Sequence, residues 1–447
     1  MEATYEPKIV ALVCNWCTYT GADLAGTSRT QYASNVRIIK LPCTGRISPM
    51  FVLRALAQGA DGVLVSGCHP GDCHYTAGNY HARRKFTVLR ELLLFLGIEP
   101  ERVQFSWVSA AEGKKWADVV NAVVADVRKL GPRKAAWGEP VGTAQPVVLG
   151  GSLPDGSDRT DQSDSAQARA LRAKARELLE SGAVNVVVGY QAGSLPGLMR
   201  AVFVTDPARV DQLEWNADCR QNLSVYLTRD AVKKLGKIGL VVKACDVKSV
   251  VGLIQENQVA REDVVLIGMA CRGVQVDGAP AARCAACDGK GLELADHVIG
   301  EGAPEPMADP RLEEIARLDA MSPEERWNFW QAQFAQCLRC YACRAACPMC
   351  ACDRCLAEKT QPAWIPGTID GRGNLTWHAA RALHLAGRCV DCGACIAACP
   401  ANIRLDLLNL KMAMVVRDRF GYVPGLDPEA TPALASFHET DAQEFIR

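Results

Sequence analysis

No stretch of 18 consecutive apolar residues occurs in the 447 residues, so no segment reads as a membrane-spanning helix. The opening MEATYEPKIV carries neither a basic n-region nor an apolar h-region, and the expectation is a cytoplasmic protein with no direct membrane insertion. Excess charge is absent too. Lys+Arg and Asp+Glu each number 50, which leaves no electrostatic case for nucleic acid as a partner. Nor does any G-x-G-x-x-G follow a strand-like run, so nothing independently signals a bound nucleotide.

Cysteine, by contrast, is abundant, at 21 residues. In a reducing cytoplasm that usage points to metal ligation rather than disulfides. Eight of the cysteines form two copies of C-x2-C-x2-C-x3-C-P, Cys337/Cys340/Cys343/Cys347-Pro348 and Cys389/Cys392/Cys395/Cys399-Pro400. Three cysteines on one tight turn reach three irons of a [4Fe-4S] cube, and the fourth, carried off by the following helix, ligates the other cube of a two-cluster ferredoxin. The spacing thus predicts one cube on Cys337, Cys340, Cys343 and Cys399 and a second on Cys389, Cys392, Cys395 and Cys347. Zinc is the rival, yet structural zinc sites pair C-x2-C units and have no use for a third close cysteine followed by C-P. Residues 335–411 also carry nine Lys/Arg against five Asp/Glu, an excess that anionic clusters in a low-dielectric shell would need; a solvated basic face is the plainer alternative for any one of them.

The chain is long enough for about three domains, and the fold class is α/β. Apolar runs Ile9–Val13, Val36–Leu41, Val63–Val65 and Val103–Val108 alternate with helical patterns at Ser48–Gln58, Tyr80–Leu96 and Ala110–Leu130, predicting an N-terminal flavodoxin-like parallel-sheet domain over 1–130. Gly, Pro, Ser and Asp dominate 131–165, the composition of a linker. A second α/β domain is expected at 166–300, with helices at Ala166–Ser181 and Val247–Gln258 and strands at Val184–Val188, Ile238–Val242 and Val264–Ile267. Connecting helices fill 301–334, where Ser322-Pro323-x-Glu325 is a capping box with proline at the first helical position. A ferredoxin-like domain with two [4Fe-4S] clusters occupies 335–411, interrupted by a long insertion at 356–385, and an extended tail over 412–447 is expected to lie on a partner.

Five N-terminal cysteines, Cys14, Cys17, Cys43, Cys68 and Cys73, fall at or just beyond the carboxyl ends of predicted strands, where a parallel sheet opens its ligand crevice. Four thiolates suit a [2Fe-2S] centre and leave one spare. His69 and His74 are candidates for Rieske-type ligands, but neither lies in a matched Cys-x-His pair, which favours surface or supporting roles. The motifs CNWCTY, LPCTGR and SGCHPGDCHY over residues 7–130 resemble the iron-sulfur delta subunit of methyl-viologen-reducing (coenzyme F420-non-reducing) hydrogenase. That resemblance implies one [2Fe-2S] cluster and a heterodisulfide-reductase A-like flavoprotein as electron partner.

Cys245 and Cys271 each follow a predicted strand, and Cys284-x2-Cys287 lies in a Gly/Ala-rich loop soon after. The region 166–300 resembles the iron-sulfur part of coenzyme F420 hydrogenase/dehydrogenase beta subunits, which implies a third [4Fe-4S] on these four cysteines and, in that family, FAD. Cys219, Cys350, Cys352 and Cys355 remain. They suffice for a fourth [4Fe-4S], and a structural metal knuckle or packed turn at 350–355 is the alternative.

The resulting expectation is a multi-cluster electron-transfer subunit of a flavin-linked, electron-bifurcating redox complex with hydrogenase, formate dehydrogenase or other oxidoreductase subunits. The alternative is a catalytic FAD-containing oxidoreductase acting on a deazaflavin or similar hydride carrier. A zinc-rich scaffold is a third class, disfavoured by the paired C-P runs.

Overall fold

The computed structural model of the chain describes residues 5–141, 165–195, 197–276, 279–302 and 305–447. Its first domain runs β1 (Ile9–Cys14), α1 (Thr18–Thr27), β2 (Val36–Leu41), α2 (Pro49–Ala57), β3 (Gly62–Gly67), α3 (Gly78–Phe95), β4 (Val103–Trp107) and α4 (Gly113–Leu130). The strands pair entirely in parallel in the order β2-β1-β3-β4, with β1 in the middle because short βα units cross over on both sides. Side-chain alternation sorts the layers: Ile9, Ala11 and Val13 face Trp116 and Val120 of α4, while Leu12 faces the other way, towards α2 and α3. Helix α1 was not legible in TYTGADLAGT, which has no apolar stripe and buries only small residues and threonine.

The second domain contains α5 (Ala166–Glu180), β5 (Val186–Ala192), β6 (Met199–Val204), α6 (Asp230–Lys233), β7 (Ile238–Val242), α7 (Ala244–Gln255), β8 (Val264–Met269), the small hairpin β9 (Gln275–Val276) and β10 (Ala279–Pro280), α8 (Ala282–Ala285) and β11 (His297–Ile299). Its five-stranded sheet has the order β11-β8-β7-β5-β6 and is mixed, since β6 runs antiparallel to β5. Two helices follow, α9 (Pro310–Ala320) and α10 (Pro323–Ala335). The expected capping box opens α10: Ser322 Oγ accepts from Glu325 N at 3.3 Å, and Glu325 Oε2 accepts from Ser322 N at 2.8 Å.

In the last domain the two cysteine motifs carry short helices α11 (Ala342–Ala345) and α13 (Ala394–Ala397), separated by α12 (Gly371–Leu385) and followed by α14 (Leu405–Phe420). The insertion between the motifs is therefore structural. Helix α12 is buried almost all round, and Leu375 and Trp377 share one apolar core with Trp330 and Phe334 of α10, Leu407 of α14, Phe86 of α3 and Leu53 of α2. One hydrophobic core thus joins the parallel-sheet domain to the cysteine-rich domain.

Two expected boundaries change. Residues 412–420 are the second half of α14, not tail, because good helix formers continue until Gly421 adopts a left-handed cap (φ 63°). The segment 131–165 is not wholly linker: Trp137 is buried and donates to Thr376 Oγ1 at 3.0 Å, and Glu139 O accepts from Trp327 Nε1 at 2.7 Å. Residues 142–164 of that segment lie outside the described residues.

The C-terminal residues return to their own chain. Trp107 N donates to Arg447 O at 2.8 Å and Arg447 N donates to Phe105 O at 2.9 Å, so the end of the chain lies beside β4 and pairs its exposed edge. Arg84, from α3, is 2% exposed and grips Asp441 with Nε to Oδ2 at 2.5 Å and Nη2 to Oδ1 at 3.0 Å. Burial alone would raise the Asp441 carboxyl, but hydrogen bonds from Arg84 and the His438 N–H hold it below its ordinary value. A depressed carboxyl stabilises the fold above its unfolded value of about 4 and loses that contribution as pH falls through the folded value. Asp441→Ala leaves the buried Arg84 with Ala433 O and Ser436 Oγ but no carboxylate; the expected loss is about 3 kcal/mol in denaturant unfolding at pH 7, shrinking as both proteins are compared below pH 4.

Candidate metal centres

The strand ends bring the five N-terminal cysteines together. Cys14 closes β1, Cys17 caps α1, Cys43 follows β2, and Cys68 and Cys73 lie in the loop after β3. Cys14, Cys43, Cys68 and Cys73 pack into one buried group, with the less buried Cys17 against its edge. Cys43 and Cys73 place their sulfurs 3.7 Å apart, and Cys43 Sγ accepts from Gly45 N at 3.4 Å. Asn79 is buried and ties the loop down, donating to Cys68 O at 3.1 Å and His69 O at 2.6 Å.

Charge on this group is tightly coupled. A hydrogen bond from Cys68 brings the Cys14 thiol down to about 6 against the opposing effect of burial, and the same contact pushes Cys68 upward. Burial pushes Cys43 up to about 11. His69 Nε2 lies 2.8 Å from Glu112 Oε2, and His74 stacks on Trp16 at 3.8 Å between ring centroids; both histidines have work of their own beside the thiols. Around the rim Trp16, Tyr19 and Tyr75 are exposed.

In the second domain, Cys245, Cys271, Cys284 and Cys287 line a single cavity of about 250 Å3. Cys245 sits in the first turn of α7, Cys271 follows β8, Cys284 lies in α8 and Cys287 just after it. Burial raises the Cys245 and Cys271 thiols. Lys243, fully buried, borders the cavity; its Nζ lies 2.7 Å from Asp246 Oδ2 and donates to Tyr190 Oη at 2.6 Å and Gln221 O at 2.9 Å.

The two C-P motifs build nearly identical turns. Arg339 and Asp391 share φ 54°, and Tyr341 and Gly393 follow at 60° and 69°. Cys347, Cys389, Cys392 and Cys395 surround one small cavity, together with Arg381. Cys343 faces Cys395, Cys399 and Cys337, and Cys337 faces Cys399 and Cys340. Cys347 thus lies with the first three cysteines of the second motif, and Cys399 lies near Cys337 and Cys343 of the first. Burial pushes Cys343 up to about 11 and Cys392 up to about 12.

The leftover cysteines divide. Cys219 is fully buried against Asn216, Lys243 and Cys271. Cys350 lies beside Cys347 and Arg381, Cys352 is exposed near Arg388, and Cys355 lies near Arg344. Three side chains that the motifs did not mark belong to these sites, Asn79, Lys243 and Arg283, while Arg381 is one of the nine basic residues counted over 335–411. Lys243 and Arg283 stand two and one residues before a cysteine, and that adjacency was the available signal.

The donor sets fit iron-sulfur clusters. Sulfur lines each cage, burial holds most of these thiols above their ordinary value, and metal that replaces the proton removes that penalty. This is the construction of an iron-sulfur redox protein, and the comparisons agree. Residues 9–131 match the family "Methyl-viologen-reducing hydrogenase, delta subunit", and residues 330–400 match "4Fe-4S dicluster domain". The chain belongs to the hydrogenase delta-subunit family through its N-terminal domain. The D-type iron-sulfur subunit of the F420-non-reducing hydrogenase of Archaeoglobus profundus is 53% identical over 134 residues, 30% of this chain and 98% of that protein. The corresponding vhc iron-sulfur subunit of Methanococcus voltae is 52% identical over 132 residues, 30% of this chain and 92% of its own length. The A-type subunit of the ferredoxin/F(420)H(2)-dependent CoB-CoM heterodisulfide reductase of Methanosarcina acetivorans is 45% identical over 126 residues, 28% of this chain and only 16% of that protein. Residues 166–300 lie between the two matched regions, and neither match covers them.

Gly78 touches the N-terminal cage directly: a Cβ there would run into Cys43 Sγ and stand 3.2 Å from Cys73 Sγ. Gly78→Ala is expected to displace both sulfurs, so that mass-spectrometric mapping of alkylation shows Cys43 and Cys73 labelled several-fold faster while Cys343 and Cys395 keep their native rates.

Proposed function

We propose that this chain is the multi-cluster electron-transfer subunit of a cytoplasmic redox complex. The observation that carries the reading is the sorting of cysteines into cages of four or five within one fold. In the N-terminal domain four of the five cysteines hold a [2Fe-2S] centre, with Cys17, at the rim, the natural spare. Cys245, Cys271, Cys284 and Cys287 hold a [4Fe-4S] cluster, and the crosswise quartets of the last domain hold two more. Bound clusters supply one-electron chemistry. The chain supplies thiolate ligands, low-dielectric burial and fixed cations that hold the cofactors in place.

Partner assignment follows from the relatives. The N-terminal domain is a separate hydrogenase subunit in one set of relatives and part of a much longer heterodisulfide reductase chain in another, which supports electron exchange with a flavoprotein of that kind. Trp16, Tyr19 and Tyr75 beside the N-terminal cage give such a partner an exposed aromatic surface. Electron bifurcation belongs to the assembly, with the bifurcating flavin in the partner and a hydrogenase, formate dehydrogenase or other oxidoreductase at the far end. Among the described residues no helix is long and apolar enough to cross a membrane. The alternative, a catalytic chain with its own FAD, draws little support from the cysteine-lined cavity, whose 250 Å3 is below the roughly 300–1,000 Å3 of ordinary ligand pockets.

Anaerobically purified protein is expected to contain iron and acid-labile sulfide for three [4Fe-4S] clusters and one [2Fe-2S], without stoichiometric releasable flavin. Flavin at one per chain would overturn the reading in favour of catalysis. The crosswise ligation has its own test. Cys340→Ser combined with Cys399→Ser should abolish one ferredoxin-type paramagnetic signal and spare the other, whereas Cys340→Ser with Cys347→Ser should abolish both; the reverse pattern would mean that each motif keeps its own fourth cysteine.

A further inference from the structure

Arg283 stands immediately before Cys284 on α8, yet its guanidinium lies across the second C-P motif. It covers Gly393 so closely that a Cβ at that position would run into Nη1, Cζ and Nε together. The turn itself does not require glycine: Tyr341 holds the same left-handed conformation in the first motif with a full side chain. What position 393 requires is space for Arg283.

The side chain reaches from one cage to another. Arg283 lines the cavity of Cys245, Cys271, Cys284 and Cys287, and the groups it faces are Cys245 and Cys284 on that side and Cys392 and Asp391 on the other. Asp391 is already engaged by Arg311, whose Nη1 and Nη2 lie 2.9 and 2.6 Å from its two oxygens. Thiols of two separate cages are what remains for Arg283. An arginine is protonated under all ordinary conditions and carries five donors in a rigid plane. Its charge, half-buried between two sulfur cages, acts on both at short range.

We propose that Arg283 is the positioning residue linking the second-domain cage to the cage of Cys347, Cys389, Cys392 and Cys395, acting as one shared counter-charge for both cofactors. This inference rests on the iron-sulfur reading above. The cation favours the more negative, reduced state at either cage. When one electron passes between them, the electron lost by one cage is gained by the other, and Arg283 keeps its proton throughout. Electron exchange at this junction therefore needs no proton transfer by the bridging residue.

The test uses the full-length, cluster-loaded chain. Signals are first assigned by their loss in Cys245→Ser and Cys392→Ser, and midpoint potentials are then read by paramagnetic resonance during reductive titration. Arg283→Gln should shift both assigned midpoints to lower potential and leave the N-terminal signal and the signal lost in Cys340→Ser unmoved. Arg283→Lys, which keeps the charge, should restore most of the shift. Gly393→Ala, which keeps Arg283 but displaces its guanidinium, should move the same two midpoints. Unmoved midpoints, or an equal shift of every signal, with iron content intact, would overturn the bridging role alone. Absence of iron at Cys245 and Cys392 in the unaltered protein would instead overturn the iron-sulfur reading. If Arg283→Gln fails to fold, Gly393→Ala and Arg283→Lys decide the matter.

Discussion

Sulfur cages that hold anionic clusters need positive charge beside them, and in the cysteine-rich domain such charge is buried with the sulfurs. Arg381 shows the constraint most plainly. It is 4% exposed, donates to Cys343 O at 3.2 Å, has no partner for Nε within the protein, and faces Cys395, Cys347, Cys350 and Cys343. An isolated guanidinium in such a place would cost several kcal/mol of desolvation. Anionic clusters in the two cages beside it would supply the missing compensation, and the arginine would in turn offset their charge. Arg339, buried near Cys337 with two unpartnered nitrogens, repeats the arrangement. His378 takes no share of it: burial first, then Arg381 and Arg339, bring the ring down to about 3, so it stays neutral and stacks on Phe334.

Cations can be held this way only on rigid supports. Helix α12 carries both Arg381 and His378 and is clamped between α10, α14, α2 and α3, so the parallel-sheet domain helps to fix a charge that serves the cysteine-rich domain. The C-terminal segment closes the arrangement from the other side, paired along β4 and anchored at Arg84 and Asp441. The same packing fixes the sites relative to one another, and fixed spacing is what electron transfer asks of a protein.

Much of this was legible in the sequence, for identifiable reasons. The strands β1, β2, β3 and β4 announced themselves as short β-branched runs, and β7 matched its expected limits because buried parallel strands are apolar on both faces. The C-P spacing carried the placement of Cys347 and Cys399, since α11 and α13 end at Ala345 and Ala397 and carry the chain away from its own turn before the fourth cysteine. Legibility ended where the decisive contact was long-range. Nothing in EWNADCRQN indicates that Cys219 lies near Cys271, nothing in the 356–385 insertion marks α12 as core, and the short edge strand β6 went unread although only Arg200 breaks its apolar run. The tail likewise reads as unattached, because its partners Arg83, Arg84 and Phe105 sit more than 300 residues earlier.

The two C-P motifs are copies in backbone and opposites in chemistry. Where the first has Arg339, the second has Asp391; where the first has Tyr341, the second has Gly393. Tyr341 packs edge-on against Trp377, and Arg339 lies over the Tyr341 ring, so the first cage is closed by aromatic and cationic side chains from its own domain. The second cage has an acid neutralised by Arg311 and a gap at glycine through which Arg283 enters from the neighbouring domain. Duplicated ligand geometry with unlike surroundings separates the properties of two otherwise equal sites, because hydrogen bonds, charge and exposure set cluster potentials. The substitution of glycine for a bulky residue at one left-handed turn is thus what lets the second copy face outward, towards the next cage in the chain.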